Sequence, residues 1–130
     1  MNNKFFFDDF GVKQTGWVEV DGEQFYLDET GVMQTGWKKI DGKMYYFTSD
    51  GKMYLRWKRI NNKKYYFDPI SGYMHTGWEW VKEQKKWYYL SPTKGYLVEG
   101  WQTIDGNRYY FTGEGAMYTG WLYRGEYAYY

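Results

Sequence analysis

The sequence contains no cysteine, two prolines and a single histidine. Without cysteine the chain has no disulfide bond, no thiol nucleophile and no thiolate ligand for a structural zinc ion. His75 is not paired with an acidic residue by any recognisable motif, and the acidic residues fall mostly in turns. We therefore predict that the chain is not an enzyme, and that it uses no metal and no cofactor.

Charge of one sign and long apolar runs are also missing. The 17 basic and 16 acidic residues are spread along the chain and give a net charge of +1. No basic stripe is present that could follow a phosphate backbone, so we expect no nucleic-acid partner. No apolar run approaches the roughly 20 residues that a membrane span needs, so we expect none.

Aromatic residues are abundant, with 8 Trp, 17 Tyr and 8 Phe, whereas aliphatic residues are scarce. The mean hydropathy of −0.85 is nevertheless that of a polar chain. Aromatic rings with a polar N–H or O–H can bury one edge and leave the other in water. This composition favours a thin structure without a deep interior.

A Gly-Trp pair recurs along the chain, with Arg56-Trp57 at the position where its glycine has been replaced. Successive tryptophans are separated by 20, 20, 21, 23 and 20 residues. A period near 20 residues indicates a solenoid of β-hairpins, with about 20 residues per repeat. We predict one repeat module over residues 1–130, with a partial repeat at 1–15 and repeats that start near 16, 36, 56, 77, 100 and 120.

Each unit has the same internal order, of which the second is the clearest example. The segment Gly36–Ile40 is followed by Asp41-Gly42 and then by Lys43–Phe47. Asp-Gly between two aromatic and β-branched runs predicts a hairpin with a tight primed turn. A connector with Gly51 and Met53 then leads to the next unit. Because no segment has a helical period, the predicted fold class is all-β.

A two-residue turn fixes which side chains share a face of the hairpin. One predicted face carries Trp37 and Tyr46, and the other carries Ile40, Tyr45 and Phe47, which we expect to pack a core along the stack. The Trp/Tyr face and the connector methionine are then free to converge in the gap between units. Such rings attract a quaternary ammonium group by about 0.5–2 kcal/mol per ring. They could equally stack on a sugar, and the pattern leaves both alternatives open.

The motifs Gly-Trp, Asp-Gly, Tyr-Tyr-Phe and Gly-x-Met-x-Thr-Gly-Trp together resemble the cell-wall-binding repeat of choline-binding modules, from Phe5 to Tyr130. The resemblance implies a left-handed superhelix of hairpins in a secreted or cell-surface protein of bacteria. It also implies a non-catalytic module that recognises the choline groups of teichoic acids. Related repeats occur in glucan-binding domains and in clostridial toxins.

The resemblance further implies an aromatic cage in each gap between consecutive units. The predicted ligand-binding residues are Trp17, Tyr26, Met33, Trp37, Tyr46, Met53, Trp57, Tyr66, Met74, Trp78, Trp87, Tyr89, Trp101, Tyr110, Met117 and Trp121. In the fourth gap, Leu97 stands where a methionine is expected.

One position departs from the choline-binding pattern. Those repeats have a tryptophan immediately before the Tyr-Tyr pair, a position that we call the slot. The slot residues here are Gln24, Met44, Lys64, Trp87 and Arg108. Because polar and basic residues in the slot favour a sugar, the alternative function is a glucan-binding or glycan-binding module. Neither end carries a polar capping repeat, so we also expect that the module can form a homodimer through its ends.

Overall fold

The computed structural model describes residues 3–117, 122–124 and 127–129. Within these residues the regular elements are all β-strands. They are β1 (Gly16–Val20), β2 (Glu23–Leu27), β3 (Gly36–Ile40), β4 (Lys43–Phe47), β5 (Arg56–Ile60), β6 (Lys63–Phe67), β7 (Gly77–Val81), β8 (Lys86–Leu90), β9 (Gly100–Ile104), β10 (Asn107–Phe111), β11 (Leu122–Arg124) and β12 (Tyr127–Tyr129). The described part of the chain has no helix long and apolar enough to span a membrane.

Each strand pairs with its neighbour in sequence to form a two-stranded sheet, from β1-β2 to β11-β12. The predicted all-β fold of repeated hairpins is therefore confirmed, whereas the left-handed superhelix stays a prediction. The chain divides into two compact units. One consists of Met1–Lys58 and Tyr66–Met74, and the other of Arg59–Tyr65 and His75–Tyr130.

Tight turns with two residues at positive φ set the strand register. Asp41 and Gly42 have φ values of 50° and 81°, and Asn61 and Asn62 have values of 51° and 66°. Two consecutive positive φ values define the primed turn whose twist matches that of the flanking strands. The turn places Trp37 opposite Tyr46, as the sequence predicted. The fourth hairpin instead has the longer turn 82–85 between β7 and β8.

In the first five hairpins, the best-buried side chain belongs to the last residue of the second strand. These fully buried residues are Leu27, Phe47, Phe67, Leu90 and Phe111. Each also forms a backbone bridge to the connector that follows it, as Phe47 does with Met53 and Phe111 with Met117. In each of the first five hairpins one large side chain is thus fully buried, and smaller aliphatic residues such as Ile40 and Ile104 complete the core.

The first residue of a connector can close its loop with its own side chain. Asp28 Oδ1 accepts hydrogen bonds from the Thr30 hydroxyl and from the backbone N–H groups of Thr30 and Val32. The Thr30 hydroxyl is the main reason why the pKa of Asp28 lies below its usual value, since these bonds favour the ionised form. The connectors are thus ordered by local turn chemistry, which fixes where each following strand begins.

Arg56 occupies a backbone conformation that suits glycine. Its φ is 67°, and the glycines at the same place in the repeat, such as Gly36 and Gly77, have φ values of 72° and 76°. An L-residue in this region costs about 1–2 kcal/mol, of which the greater flexibility of unfolded glycine offsets part. We therefore expect Arg56→Gly to raise the free energy of unfolding by about 0.5–1 kcal/mol in urea denaturation.

The reverse substitution supplies the control for this prediction. A Cβ added at Gly36 meets no atom within 4 Å, so Gly36→Arg changes the backbone preference without a clash at the Cβ. It should lower the free energy of unfolding by a similar amount. If Arg56→Gly left stability unchanged or reduced it, contacts of the arginine side chain would outweigh the backbone strain.

Candidate ligand-binding site

Every hairpin from the first to the fifth pairs a tryptophan on its first strand with a tyrosine on its second strand. The ring centroids are 4.8–5.2 Å apart and the rings meet edge to face, at 62–70°. The pairs are Trp17–Tyr26, Trp37–Tyr46, Trp57–Tyr66, Trp78–Tyr89 and Trp101–Tyr110. The structure thus brings together the two rings that each hairpin was predicted to contribute.

Across the gap, the tryptophan contacts rings that the sequence analysis had assigned to the core face. Trp17 lies 5.0 Å from Tyr45 and 5.9 Å from Phe47 of the next hairpin, measured between ring centroids. In the other unit, Trp78 lies 4.9 Å from Tyr109. In these two gaps the Trp/Tyr face of one hairpin packs on the Tyr/Phe face of the next, and Tyr45 and Tyr109 are walls that the sequence analysis missed.

The connector methionines fill space beneath the following connector. A side-chain carbon on Gly51 would collide with Met33, and one on Gly72 would collide with Met53. Met53 is only 9% exposed. At these two positions the thioether is covered by a loop that only glycine permits, so its packing role is established and its predicted ligand role stays a prediction.

Backbone hydrogen bonds align each connector with the slot of the hairpin before. The N–H of Met53 donates to the carbonyl of Gln24 at 2.9 Å, and the N–H of Met117 donates to the carbonyl of Trp87 at 2.7 Å. Because Gln24 and Trp87 are slot residues, each slot side chain starts from the same place in the repeat. The slot side chains of these hairpins contact first-strand residues of their own hairpin, as Gln24 does with Glu19 and Trp87 with Trp78.

The fourth hairpin has the only described slot that holds an aromatic ring. Trp87 stands perpendicular to Trp78, with ring centroids 6.0 Å apart and an angle of 89°. Trp78 in turn meets Tyr109 at 77°. Trp87 is 41% exposed, so the group remains open to solvent. We call Trp78, Trp87 and Tyr109 the aromatic cage. Three rings in this arrangement present their π systems to a weakly hydrated cation.

The fifth hairpin already carries a cation on the equivalent tryptophan. The guanidinium carbon of slot residue Arg108 lies 5.0 Å from the ring centroid of Trp101. At this distance the contact is a cation–π interaction. It also means that a cationic ligand would meet like charge here. In the first hairpin the slot is neutral, and the Gln24 side-chain amide donates to Glu19 at 2.8 Å.

The sequence matches the family described as choline-binding repeat over residues 56–99 and 98–130. It also matches the family described as putative cell wall binding repeat over residues 15–33 and 35–53. The chain belongs to the choline-binding repeat family. The resemblance noted from the sequence motifs is therefore confirmed. A comparison with curated proteins gave no match.

Solved structures support this membership in the choline-binding repeat family. Choline binding protein F from Streptococcus pneumoniae is 36% identical, and the match covers 100% of this chain and 47% of that chain, with a TM-score of 0.89. CbpJ from the same species is 38% identical, with 92% and 41% covered and a TM-score of 0.84. A pneumococcal cell wall endolysin from phage Cp-1, solved with choline, is 25% identical, with 91% and 37% covered and a TM-score of 0.56. The chain spans less than half the length of each of these relatives.

Two of the gaps predicted for this choline-binding repeat chain, the third and the fifth, stay predictions. Trp121, predicted for the fifth gap, lies outside the described residues. The third gap was predicted to join Trp57, Tyr66 and Met74 of one compact unit with Trp78 of the other, and it stays a prediction.

The single histidine of this choline-binding repeat chain has a structural role. His75 is partly buried, and its Nδ1 atom bonds to the carboxylate of Glu79, which lies four residues further along the chain. Among the described residues, no group of three or more His, Asp or Glu side chains could hold a metal ion. The features that distinguish the gaps are therefore rings and slot residues.

Proposed function

We propose that this chain binds choline, and other quaternary ammonium cations of similar size, in the aromatic cage formed by Trp78, Trp87 and Tyr109. The observation that carries the proposal is that Trp78 meets two other rings nearly at right angles, Trp87 at 89° and Tyr109 at 77°, while Trp87 stays 41% exposed. Membership in the choline-binding repeat family supports it, as does the choline complex of the phage Cp-1 endolysin.

The chemistry of the cage suits a cation without N–H groups. A trimethylammonium group needs no hydrogen-bond partner, so it loses little when water is replaced by rings. Each ring face contributes about 0.5–2 kcal/mol, and the contribution rises as the cation is desolvated.

The remaining predicted site residues form weaker positions in this proposal. At Trp17–Tyr26, Trp37–Tyr46 and Trp101–Tyr110 the slot supplies no third ring, and at Arg108 it supplies a positive charge. We therefore propose one strong site and a series of two-walled positions that bind choline only at higher concentration.

The biological setting follows from the ligand and the family. We propose that residues 1–130 act as one non-catalytic binding module on the bacterial cell surface, where the choline groups of teichoic acids are the targets. Several choline groups along one polymer would let the strong site and the weak positions act together, which raises avidity without new contacts. Homodimer formation stays a prediction.

Thermal unfolding with added choline tests the proposal. A ligand that binds only the folded state stabilises it by about 2.7 kcal/mol when present at 100 times its Kd. We therefore expect the melting temperature, followed by far-ultraviolet circular dichroism, to rise by several degrees in a concentration-dependent way.

Ethanolamine at equal ionic strength is the matched control, because it keeps the charge and the hydroxyl of choline but has an ammonium with N–H groups. It should raise the melting temperature far less. An unchanged melting temperature in choline, with the spectrum of the folded protein intact, would remove the proposed function.

A further inference from the structure

A cavity lies in the unit formed by Arg59–Tyr65 and His75–Tyr130, and its volume is about 680 Å³. It is lined by the turn of the third hairpin, the longer turn of the fourth, and the connectors that follow the fourth and fifth. We call it the polar cleft. Its lining includes Lys64, which holds in the third hairpin the slot position that Trp87 holds in the fourth.

One wall of the polar cleft is basic. It consists of Arg59, Lys63 and Lys64, all from the third hairpin. The ammonium nitrogen of Lys63 lies 4.3 Å from the ring centroid of Tyr96, which holds the side chain at the cleft. Lys64 stands at the slot position that Trp87 occupies in the cage, and Arg59 and Lys63 add two more positive groups to the lining. This makes the cleft unfavourable for choline and favourable for a group with negative charge.

The facing walls carry amides and carboxylates. The turn of the fourth hairpin contributes Gln84, and the connector after it contributes Glu99. Strand β9 contributes Gln102, and the connector after the fifth hairpin contributes Glu114. The hydroxyl of Tyr88 donates to Gln84 Oε1 at 2.5 Å, so the amide is oriented by a neighbour. Amides both donate and accept, and carboxylates accept from hydroxyl groups. This wall therefore suits a polyhydroxylated ligand and disfavours a polyanion.

Tyr88, which lines the polar cleft, stays neutral there. Burial, followed by the nearby charge of Glu114, raises the pKa of Tyr88 above its usual value. Its phenol therefore keeps its proton at physiological pH and adds no negative charge to the cleft. The charge pattern of the cleft is set by its basic wall on one side and its two carboxylates on the other.

We propose that the polar cleft binds a short saccharide that carries one acidic group. The acidic group would pair with Arg59 and Lys64, which alternation along the strands places on one face of the third hairpin. The hydroxyl and amide groups of the sugar would face Gln84, Gln102 and Glu114. The cleft and the aromatic cage would then recognise two different chemical groups with the same structural repeat. This inference does not depend on choline binding at the cage.

A titration followed by amide chemical shifts in the ¹⁵N-labelled full chain tests the inference. The probe is the disaccharide N-acetylglucosaminyl-N-acetylmuramic acid, which has one carboxylate, and chitobiose is its neutral counterpart. We expect the acidic disaccharide to shift the amides of Lys64, Leu97 and Gln102. We expect chitobiose to bind at least tenfold more weakly, because a charge-assisted hydrogen bond is lost.

Variants then separate the cleft from the general charge of the chain. Arg59→Ala should weaken binding of the acidic disaccharide about tenfold. Lys39→Ala is the matched control, because Lys39 has the same position in the second hairpin, is also exposed, and does not line the cleft. It should leave binding unchanged. Trp87→Ala should likewise leave the disaccharide bound.

Three results would overturn the inference. They are no shift with the acidic disaccharide in a folded protein, shifts confined to the aromatic cage, and an equal loss of affinity in Arg59→Ala and Lys39→Ala. Because choline is titrated in a separate experiment, failure of the saccharide arm leaves the proposed choline site intact, and failure of the choline arm leaves the cleft intact.

Discussion

Trp87→Ala should weaken choline binding about 30-fold, because a desolvated cation loses about 2 kcal/mol with one tryptophan face. Trp87 is the side chain that turns a Trp–Tyr contact into a three-ring cage, since Trp78 and Tyr109 already meet each other across the gap. Isothermal titration calorimetry with choline gives the affinity directly. The Kd for choline at the strong site should be about 30-fold higher in Trp87→Ala than in the unchanged chain.

Trp17→Ala is the matched control for this substitution. Trp17 is 40% exposed, against 41% for Trp87, and it also contacts tyrosine rings. Its gap has glutamine in the slot, so its removal should change the affinity of the strong site by less than about threefold, or 0.7 kcal/mol. Equal losses in the two variants would contradict a single strong cage and would favour equivalent sites in every gap.

Gln24→Trp should create a second choline site in the first gap. Trp17 and Tyr45 already stand 5.0 Å apart at 66°, close to the 4.9 Å and 77° of Trp78 and Tyr109. The first gap therefore lacks only an aromatic ring at slot residue 24. We expect the number of choline molecules bound to rise from one to two in calorimetry. The new site should have an affinity within about tenfold of the native cage, a difference of about 1.4 kcal/mol.

Glu23→Trp supplies the control, because residue 23 is adjacent in β2 but its side chain belongs to the opposite face of the hairpin. It adds a tryptophan without completing a cage, so the number of bound ligands should stay at one. The double variant Gln24→Trp/Trp17→Ala should also lose the new site. A second site that survived the loss of Trp17 would mean that the slot ring binds choline by another arrangement.

The sequence alone predicted the features that depend on neighbouring residues. The register that places Trp37 opposite Tyr46 follows from a two-residue turn, and the turn type follows from Asp41-Gly42. Alternation along a strand then decides which side chains share a face. These relations are local, so the order of residues within one repeat was enough to assign them.

The sequence did not predict which rings meet across a gap. The pairing of Trp78 with Tyr109 joins residues 31 positions apart and depends on how one hairpin is laid on the next. Alternation assigns Tyr109 to a face, but it does not say which face of the previous hairpin will cover it. For the same reason Met33, predicted to line a cage, was not expected to lie beneath Gly51. Long-range packing of this kind needs the three-dimensional arrangement.

The hydrogen bond between a connector and a slot uses the carbonyl of the slot residue and leaves the side chain out. The carbonyls of Gln24, Met44, Lys64 and Trp87 all accept such a bond at 2.7–2.9 Å, although their side chains are an amide, a thioether, an ammonium and an indole. Selection can therefore alter this position in one repeat while the architecture and the other repeats stay as they were. An old binding specificity can be retained in one gap while a new one arises by a single codon change in another.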